Sequence, residues 1–172
     1  MNAREMSGPT RYDRRMQALM NRPEGRGLYA TSGRRRLVVG THIALTAVGA
    51  GAWIAGVFTE AKWPLFVTLG VLLPWCLATG LINAATRGLL ELRGRVLDER
   101  QRVERDQVLA RSHRTTSLLL AAAALVVLAV GRIRDVTPQA ALVPVLAGVF
   151  VVHWMMPLWT AGLLVRDDPA DD

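Results

Sequence analysis

Cysteine is almost absent, with Cys76 standing alone in 172 residues. A single thiol makes no intrachain disulfide, no Cys-x-x-Cys redox pair and no zinc cluster, so families that shuttle disulfides across membranes are excluded. Lysine is as scarce: Lys62 is the only one among 21 basic residues. Arg- and Ala-rich, Lys-poor usage of this kind points to a GC-rich bacterial genome. Aromatic residues make up only 6% of the chain, and no basic stripe is interleaved with them. A nucleic-acid groove needs that interleaving, so the formal charge of +7 does not indicate nucleic acid. Charge is missing altogether from the depth of four long apolar blocks. Proton-coupled pumps and four-helix drug antiporters need an embedded ionisable group there, which argues against secondary transport. No serine–histidine arrangement, paired intramembrane carboxylates or Gly-rich phosphate loop stands out. The run Gly49-Ala50-Gly51 lies mid-block and reads as packing. The expectation is a protein without enzymatic activity, cofactor or metal.

The apolar blocks are what the chain does have. Hydrophobic residues reach 51%, and their distribution predicts an all-α bundle of four transmembrane helices arranged as two helical hairpins. Residues 1–36 form a basic arm with nine arginines against Glu5, Asp13 and Glu24. Within the arm Thr10 can cap a short helix, with Asp13 three residues on. Tyr12, Met16, Leu19 and Met20 then fall at helical spacing, and Asn21 and Pro23 supply a stop. Arg11, Arg14 and Arg15 fill the rest of the wheel, a pattern suited to a helix lying among lipid headgroups.

The first hairpin is expected over residues 37–85. Its first span, Leu37 to Phe58, would cover about 33 Å, enough for a hydrocarbon core of about 30 Å. That block, and the polar stretch before it, are too long for a signal peptide, which predicts an uncleaved anchor. The turn Thr59-Glu60-Ala61-Lys62 returns the chain into a second span from Trp63-Pro64 to about Ala85, with Pro74 expected to kink it. A second hairpin is expected over 115–165, its first helix continuing from the segment before it. Gly131 to Asp135 make the turn, and the last span runs from about Ala140 to Val165. An acidic tail, 166–172, closes the chain. The second and fourth spans share a loose end pattern, Pro74-Trp75 before Thr79-Gly80 and Pro157-Leu158-Trp159 before Thr160-Ala161-Gly162, which either an ancient duplication or a restricted membrane alphabet explains.

Orientation follows from the basic residues. The arm holds nine, the segment Thr86–Arg114 eight and the tail one, whereas the two short turns hold only Lys62, Arg132 and Arg134. Positive charge accumulates on the cytoplasmic side, so both termini and the central segment are expected there, beside anionic headgroups.

Three groups of residues are candidates for specific contacts. Ala47, Gly51 and Ala55 form a small-xxx-small stripe, as do Ala52 and Gly56, which lets helix backbones approach closely in lipid. His42, Thr46 one turn on and Asn83 at a similar level make a candidate polar clasp. The central segment 86–114 reads as a charged linker helix with acid-first pairs Glu91/Arg95 and Asp98/Arg102. Leu89, Leu92, Val96, Val103 and Ala110 line one of its faces, yet Glu99 and Asp106 fall on the same face. A partner surface offering both apolar contact and arginine would account for that mixture, whether a second protein or the chain's own arm; a solvated helix extending the third span is the plainer alternative.

The linker also carries a resemblance. Leu97-Asp98-Glu99-Arg100-Gln101, followed by Arg105-Asp106 and Ser112-His113-Arg114, resembles a segment of small uncharacterised bacterial (actinobacterial-type) four-helix integral membrane proteins. That resemblance implies a membrane tether or signalling role near a cytoplasmic regulator. The expected function is a non-enzymatic regulatory, scaffold or accessory subunit, with Glu99, Arg100, Asp106, Leu92, Val96 and Val103 as the partner-binding residues. The alternative is a small channel or transporter subunit acting as a homo-oligomer. A haem carrier, with His42 and His153 as ligands, comes third.

Overall fold

The computed structural model describes residues 9–20, 26–94, 96–134 and 138–164. These form six helices: α1 (Arg11–Met20), α2 (Arg26–Tyr29), α3 (Ser32–Phe58), α4 (Trp63–Ala85), α5 (Glu99–Arg134) and α6 (Pro138–Leu164). Among the described residues there is no strand. Four helices are long and apolar enough to cross a membrane, and they match α3, α4, α5 and α6. Their outer surfaces identify the solvent. Leu65, Phe66, Leu69, Leu73 and Leu77 of α4 and Leu118, Leu125, Val126 and Leu128 of α5 are all exposed. A contiguous apolar surface of that extent is sustained by lipid and not by water. The protein is a multi-pass membrane protein.

Local chemistry fixes the helix starts. The Thr10 backbone N–H and hydroxyl both donate to Asp13 Oδ2 at 2.8 Å, so α1 opens on the expected cap. Thr31 Oγ1 accepts from the Arg34 N–H at 3.3 Å and caps α3. Pro64 stands in the first turn of α4, where its missing N–H costs nothing. The α5 start is a capping box of side chain and backbone: Asp98 Oδ1 accepts from the Gln101 N–H at 2.7 Å, and Gln101 Oε1 accepts from the Asp98 N–H at 3.1 Å.

That box corrects the expected linker helix. Residues 86–94 and 96–98 are not helical, and α5 begins only at Glu99. The break comes at the end of α4, where Arg87 (φ 53°) and Gly88 (φ 68°) adopt left-handed backbone. The Gly88 N–H returns to the Asn83 carbonyl at 2.9 Å and the Arg87 N–H to Ala84 at 3.1 Å, the Schellman pattern that terminates a helix. Single turns follow, and Asp98 serves as a cap instead of pairing with Arg102, whose Nε donates to the Gly94 carbonyl at 2.9 Å. The Glu91/Arg95 pair lies partly outside the described residues. At the other end, α5 runs on through Gly131 to Arg134, so the expected turn over those residues is helix. With 36 residues α5 spans about 54 Å, well beyond a hydrocarbon core of about 30 Å; Val108 already packs on Ala161 of the α6 span, so the excess length falls to the charged turns before it.

Packing is uneven along the bundle. We call the end bearing α1, α2 and the 86–98 turns the arm end. Helix α3 packs most extensively on α4 and α5 on α6, while α6 also touches α3 and α4. The buried core, Val39, Ile82, Met155, Met156, Leu158 and Trp159, lies in the half toward the arm end. A second cluster of Leu89, Val108 and Ala161 seats the turn segment against α5 and α6. Gly162 makes the closest approach of this region: a Cβ there would lie 2.7 Å from Val39 Cγ2 and 3.1 Å from Ile82 Cγ2.

Candidate functional site

The centre of the arm-end core is polar. His42 on α3 is fully buried, and both of its ring nitrogens are bonded. Trp159 Nε1 of α6 lies 2.8 Å from Nδ1, and Thr79 Oγ1 of α4 lies 2.8 Å from Nε2. The chemistry assigns the protons. An indole N–H only donates, so Nδ1 accepts. The Thr79 hydroxyl donates to the Trp75 carbonyl at 2.9 Å and so accepts from Nε2–H. His42 is thus the neutral Nε2–H tautomer. The circuit continues through the Trp75 indole N–H to Thr46 Oγ1 at 2.9 Å, and from the Thr46 hydroxyl to the His42 carbonyl at 2.8 Å. Both indoles also pack on the imidazole, with ring centroids 4.9 Å away for Trp75 and 6.1 Å for Trp159. Every donor in this group meets an acceptor, which is the condition for burying polar atoms in an apolar bundle.

Of the expected clasp, His42 and Thr46 are therefore joined and Asn83 is not. Asn83 Oδ1 is buried without a hydrogen-bond partner, and its backbone carbonyl serves the turn that ends α4. Sequence reasoning missed Trp75, Thr79 and Trp159, although a signal was present. The end pattern shared by the second and fourth spans is what delivers the two indoles to one histidine. His153, the other histidine of the haem reading, is exposed on the outer face of α6. The structure does not bring it together with buried His42, whose nitrogens are already engaged.

The packing stripe is shifted as well. Ala47 and Gly51 are exposed, and a Cβ on Gly51 would meet nothing within 4 Å, while Ala55 is half-buried. The close contacts of α3 instead run through Gly49 (Cβ position 3.6 Å from Val71), buried Ala52 and Gly56 (3.5 Å from Pro64). Helical phase explains the difference: α4 packs on the face of α3 that carries the Ala52-Gly56 stripe, adjacent to the Ala47-Gly51-Ala55 one.

Outside the bundle, α1 docks on the 86–98 turns. Asp13 is only 2% exposed. The Arg93 Nη1 atom lies 3.9 Å from Asp13 Oδ1, and its guanidinium sits 5.3 Å from the centroid of the Tyr12 ring. Met20 fills the space over Gly88, where a Cβ would come within 2.7 Å of its Cγ. Contact between arm and linker was expected from acids on the linker and arginines on the arm; the pair found here has the opposite polarity.

The expected partner face is divided by the helix break. Leu89 and Leu92 are buried in the turn segment, Val96 is half-buried, and none of them continues the α5 surface. On α5 itself Glu99, Arg100, Val103, Asp106 and Ala110 are all exposed. Among the described residues neither acid makes an ion pair. Among the same residues no cluster of His, Cys, Asp and Glu has the composition of a metal site. Comparison with protein-family models, curated proteins and solved structures yields no match.

Proposed function

We propose that this chain is a non-enzymatic membrane subunit of regulatory, scaffold or accessory type that engages a protein partner through the first half of α5. It would sit in a bacterial plasma membrane with both ends cytoplasmic, the orientation that the arginine distribution supports. The observation that carries the reading is the exposed row Glu99, Val103, Asp106 and Ala110 on the charged first turns of α5, a helix longer than a hydrocarbon core requires. Val103 exposes half of its surface between two carboxylates that no described residue pairs with. A second copy in the same membrane, paired about a two-fold axis, would set Glu99 near Glu99 and Asp106 near Asp106. Like charges at such a rim oppose association, so the face is better matched to a different protein carrying arginine beside apolar side chains. The channel reading gains no comparable support, since the arm-end interior is filled by Met, Leu and Trp side chains around a hydrogen-bonded histidine.

Reversing Glu99 and Asp106 together to Arg tests the proposal. A photo-crosslinking side chain at Val103 should capture one discrete partner in intact membranes, and the double reversal should abolish that product. Thermal stability should stay within about 0.5 kcal/mol, because isolated surface charges contribute little. A product that survives the reversal, or no product at all, rejects α5 as the docking face.

A further inference from the structure

Helix α6 turns one face away from the rest of the chain. Leu146, Phe150 and Trp154 on that face expose 57%, 61% and 66% of their surface, and His153 is exposed beside them. Apolar exposure is ordinary for a helix in lipid; exposed polar groups at this depth are not. His153 lies near the middle of the 27-residue helix, roughly 15 Å or more from either end at about 1.5 Å per residue. That is the centre of a hydrocarbon core of about 30 Å, and Trp154 stands at the same level. Among the described residues neither the His153 ring nor the Trp154 indole makes a hydrogen bond. The contrast with the bundle interior is sharp, since His42, Trp75 and Trp159 are all bonded there. A third polar group belongs to the same face. Pro157 has no N–H, so the His153 carbonyl lacks the donor that the residue one turn on normally supplies. Lipid chains offer no partner to any of these groups, and leaving them unpaired at this depth is costly.

We propose that this face of α6 pairs with the same face of a second copy of the chain, side by side in the membrane. The polar groups are complementary in charge to their own copies. Each chain presents two donors, the indole N–H and the imidazole N–H, and two acceptors, the other imidazole nitrogen and the His153 carbonyl. Copies inserted in the same sense pair about an axis normal to the membrane, which keeps equal residues at equal depth. His153 and Trp154 are about 100° apart around the helix and flank the line of Leu146, Phe150 and Pro157 on opposite sides. A two-fold axis along that line sets Trp154 of each copy against His153 of the other. Each indole N–H then donates to the facing imidazole, and each imidazole N–H remains for the facing His153 carbonyl. The bundle already makes the first of these bonds internally, from Trp159 to His42 at 2.8 Å. Phe150 packs on Trp154 with ring centroids 5.9 Å apart and steadies the indole at the seam. An unrelated helix would have to bring a matching donor and acceptor to this one depth, whereas a second copy has them by symmetry. The Glu99–Asp106 face of α5 takes no part, so the pairing stands or falls independently of the partner proposed for that face.

The test uses the full-length chain carrying Cys76→Ala, reconstituted in phosphatidylethanolamine/phosphatidylglycerol vesicles. In that background Leu146→Cys should give a disulfide-linked dimer on mild oxidation. Leu73→Cys, on the outer face of α4, should give only the yield of random collision. Energy transfer between two populations labelled at the amino terminus, followed against the protein-to-lipid ratio, gives the dimer affinity. Trp154→Phe keeps an aromatic ring and removes one donor from each copy, so affinity should fall about ten-fold, the effect of two interhelical hydrogen bonds. His153→Leu should weaken pairing at least as much. His153→Gln keeps a donor and an acceptor and should recover most of the parental affinity, a distinction that a contact of bulk alone would not make. Both residues lie outside the core, so the unfolding midpoint at high dilution should be unchanged in all three variants. Absence of the Leu146→Cys dimer, or an equal yield from Leu73→Cys, overturns the proposal. So does an affinity that neither Trp154→Phe nor His153→Leu lowers, or a His153→Gln chain that pairs no better than His153→Leu. Linkage of Leu146→Cys in native membranes to a different protein, with none to its own copy, overturns it by naming another occupant.

Discussion

One histidine organises the arm-end half of the bundle. His42 receives a hydrogen bond from α6 and donates one to α4, so a single side chain ties three helices and fixes their relative rotation. Hydrogen bonds between helices in lipid contribute about 0.6 kcal/mol on average and up to about 1.7 kcal/mol. Replacing Trp159 with Phe leaves the Nδ1 lone pair of a fully buried ring without a donor and keeps most of the packing. The expected loss is about 1–2 kcal/mol, read from the unfolding midpoint in mild detergent. Thr79→Val should cost a similar amount, and the double variant less than the sum, because either change already frees the ring to reorient. Strict additivity would show that the two bonds act independently and that the circuit has no cooperative character.

Close helix contacts are made at residues whose pattern alone did not distinguish them from their neighbours. Gly162 leaves no room for a methyl group between Val39 and Ile82, whereas Gly51 faces open space. Overpacking typically costs 1–3 kcal/mol, so Gly162→Ala should lower the thermal midpoint clearly in detergent, while Gly51→Leu should change stability by less than about 0.5 kcal/mol. The reverse order would mean that α3 packs through its other face. The same contrast marks what the sequence could show. Apolar length identified four spans, and Thr10 and Trp63-Pro64 marked helix starts within a residue or so, because these depend on local chemistry and on the thickness of a bilayer. Choosing between the Ala47-Gly51-Ala55 and Ala52-Gly56 stripes needs the rotation of each helix about its axis, which two adjacent small-residue stripes leave undetermined. The linker was misread for a different reason. Strong helix formers across 87–98 outweighed two local signals: the Arg87-Gly88 pair that takes left-handed backbone, and Asp98 three residues before Gln101. For the site, His42 and Thr46 stood out as polar residues in apolar blocks. Trp75 and Trp159 did not, because an indole reads first as bulk, and its donor matters only when an acceptor faces it.

Across the whole molecule, order is concentrated at one end. The arm, the turns and the first turns of α5 meet around a tightly packed core, while the opposite half carries more open apolar clefts, one of them lined by Leu45, Gly49, Trp53 and Val71. The arm's attachment couples the parts. Asp13 accepts both donors of Thr10 and faces Arg93, and Arg93 packs over Tyr12 on the segment that leads directly into the α5 cap. One carboxylate therefore closes α1 on itself and fastens it to the turns. Asp13→Ala removes the N-terminal support of α1, worth about 1 kcal/mol, and leaves Arg93 without its anion. A ten-residue helix is marginal without tertiary contacts, so α1 should then undock and fray. Trypsin should cut at Arg14 and Arg15 about ten-fold faster in Asp13→Ala than in the parent, with the unfolding midpoint of the bundle unchanged, because the His42 circuit does not involve the arm. Arg93→Ala should reproduce the faster cleavage in weaker form, since it keeps the cap and loses only the dock. Equal cleavage rates in parent and variants would show that α1 is held by its apolar residues alone, with Met20 over Gly88 as the contact that matters.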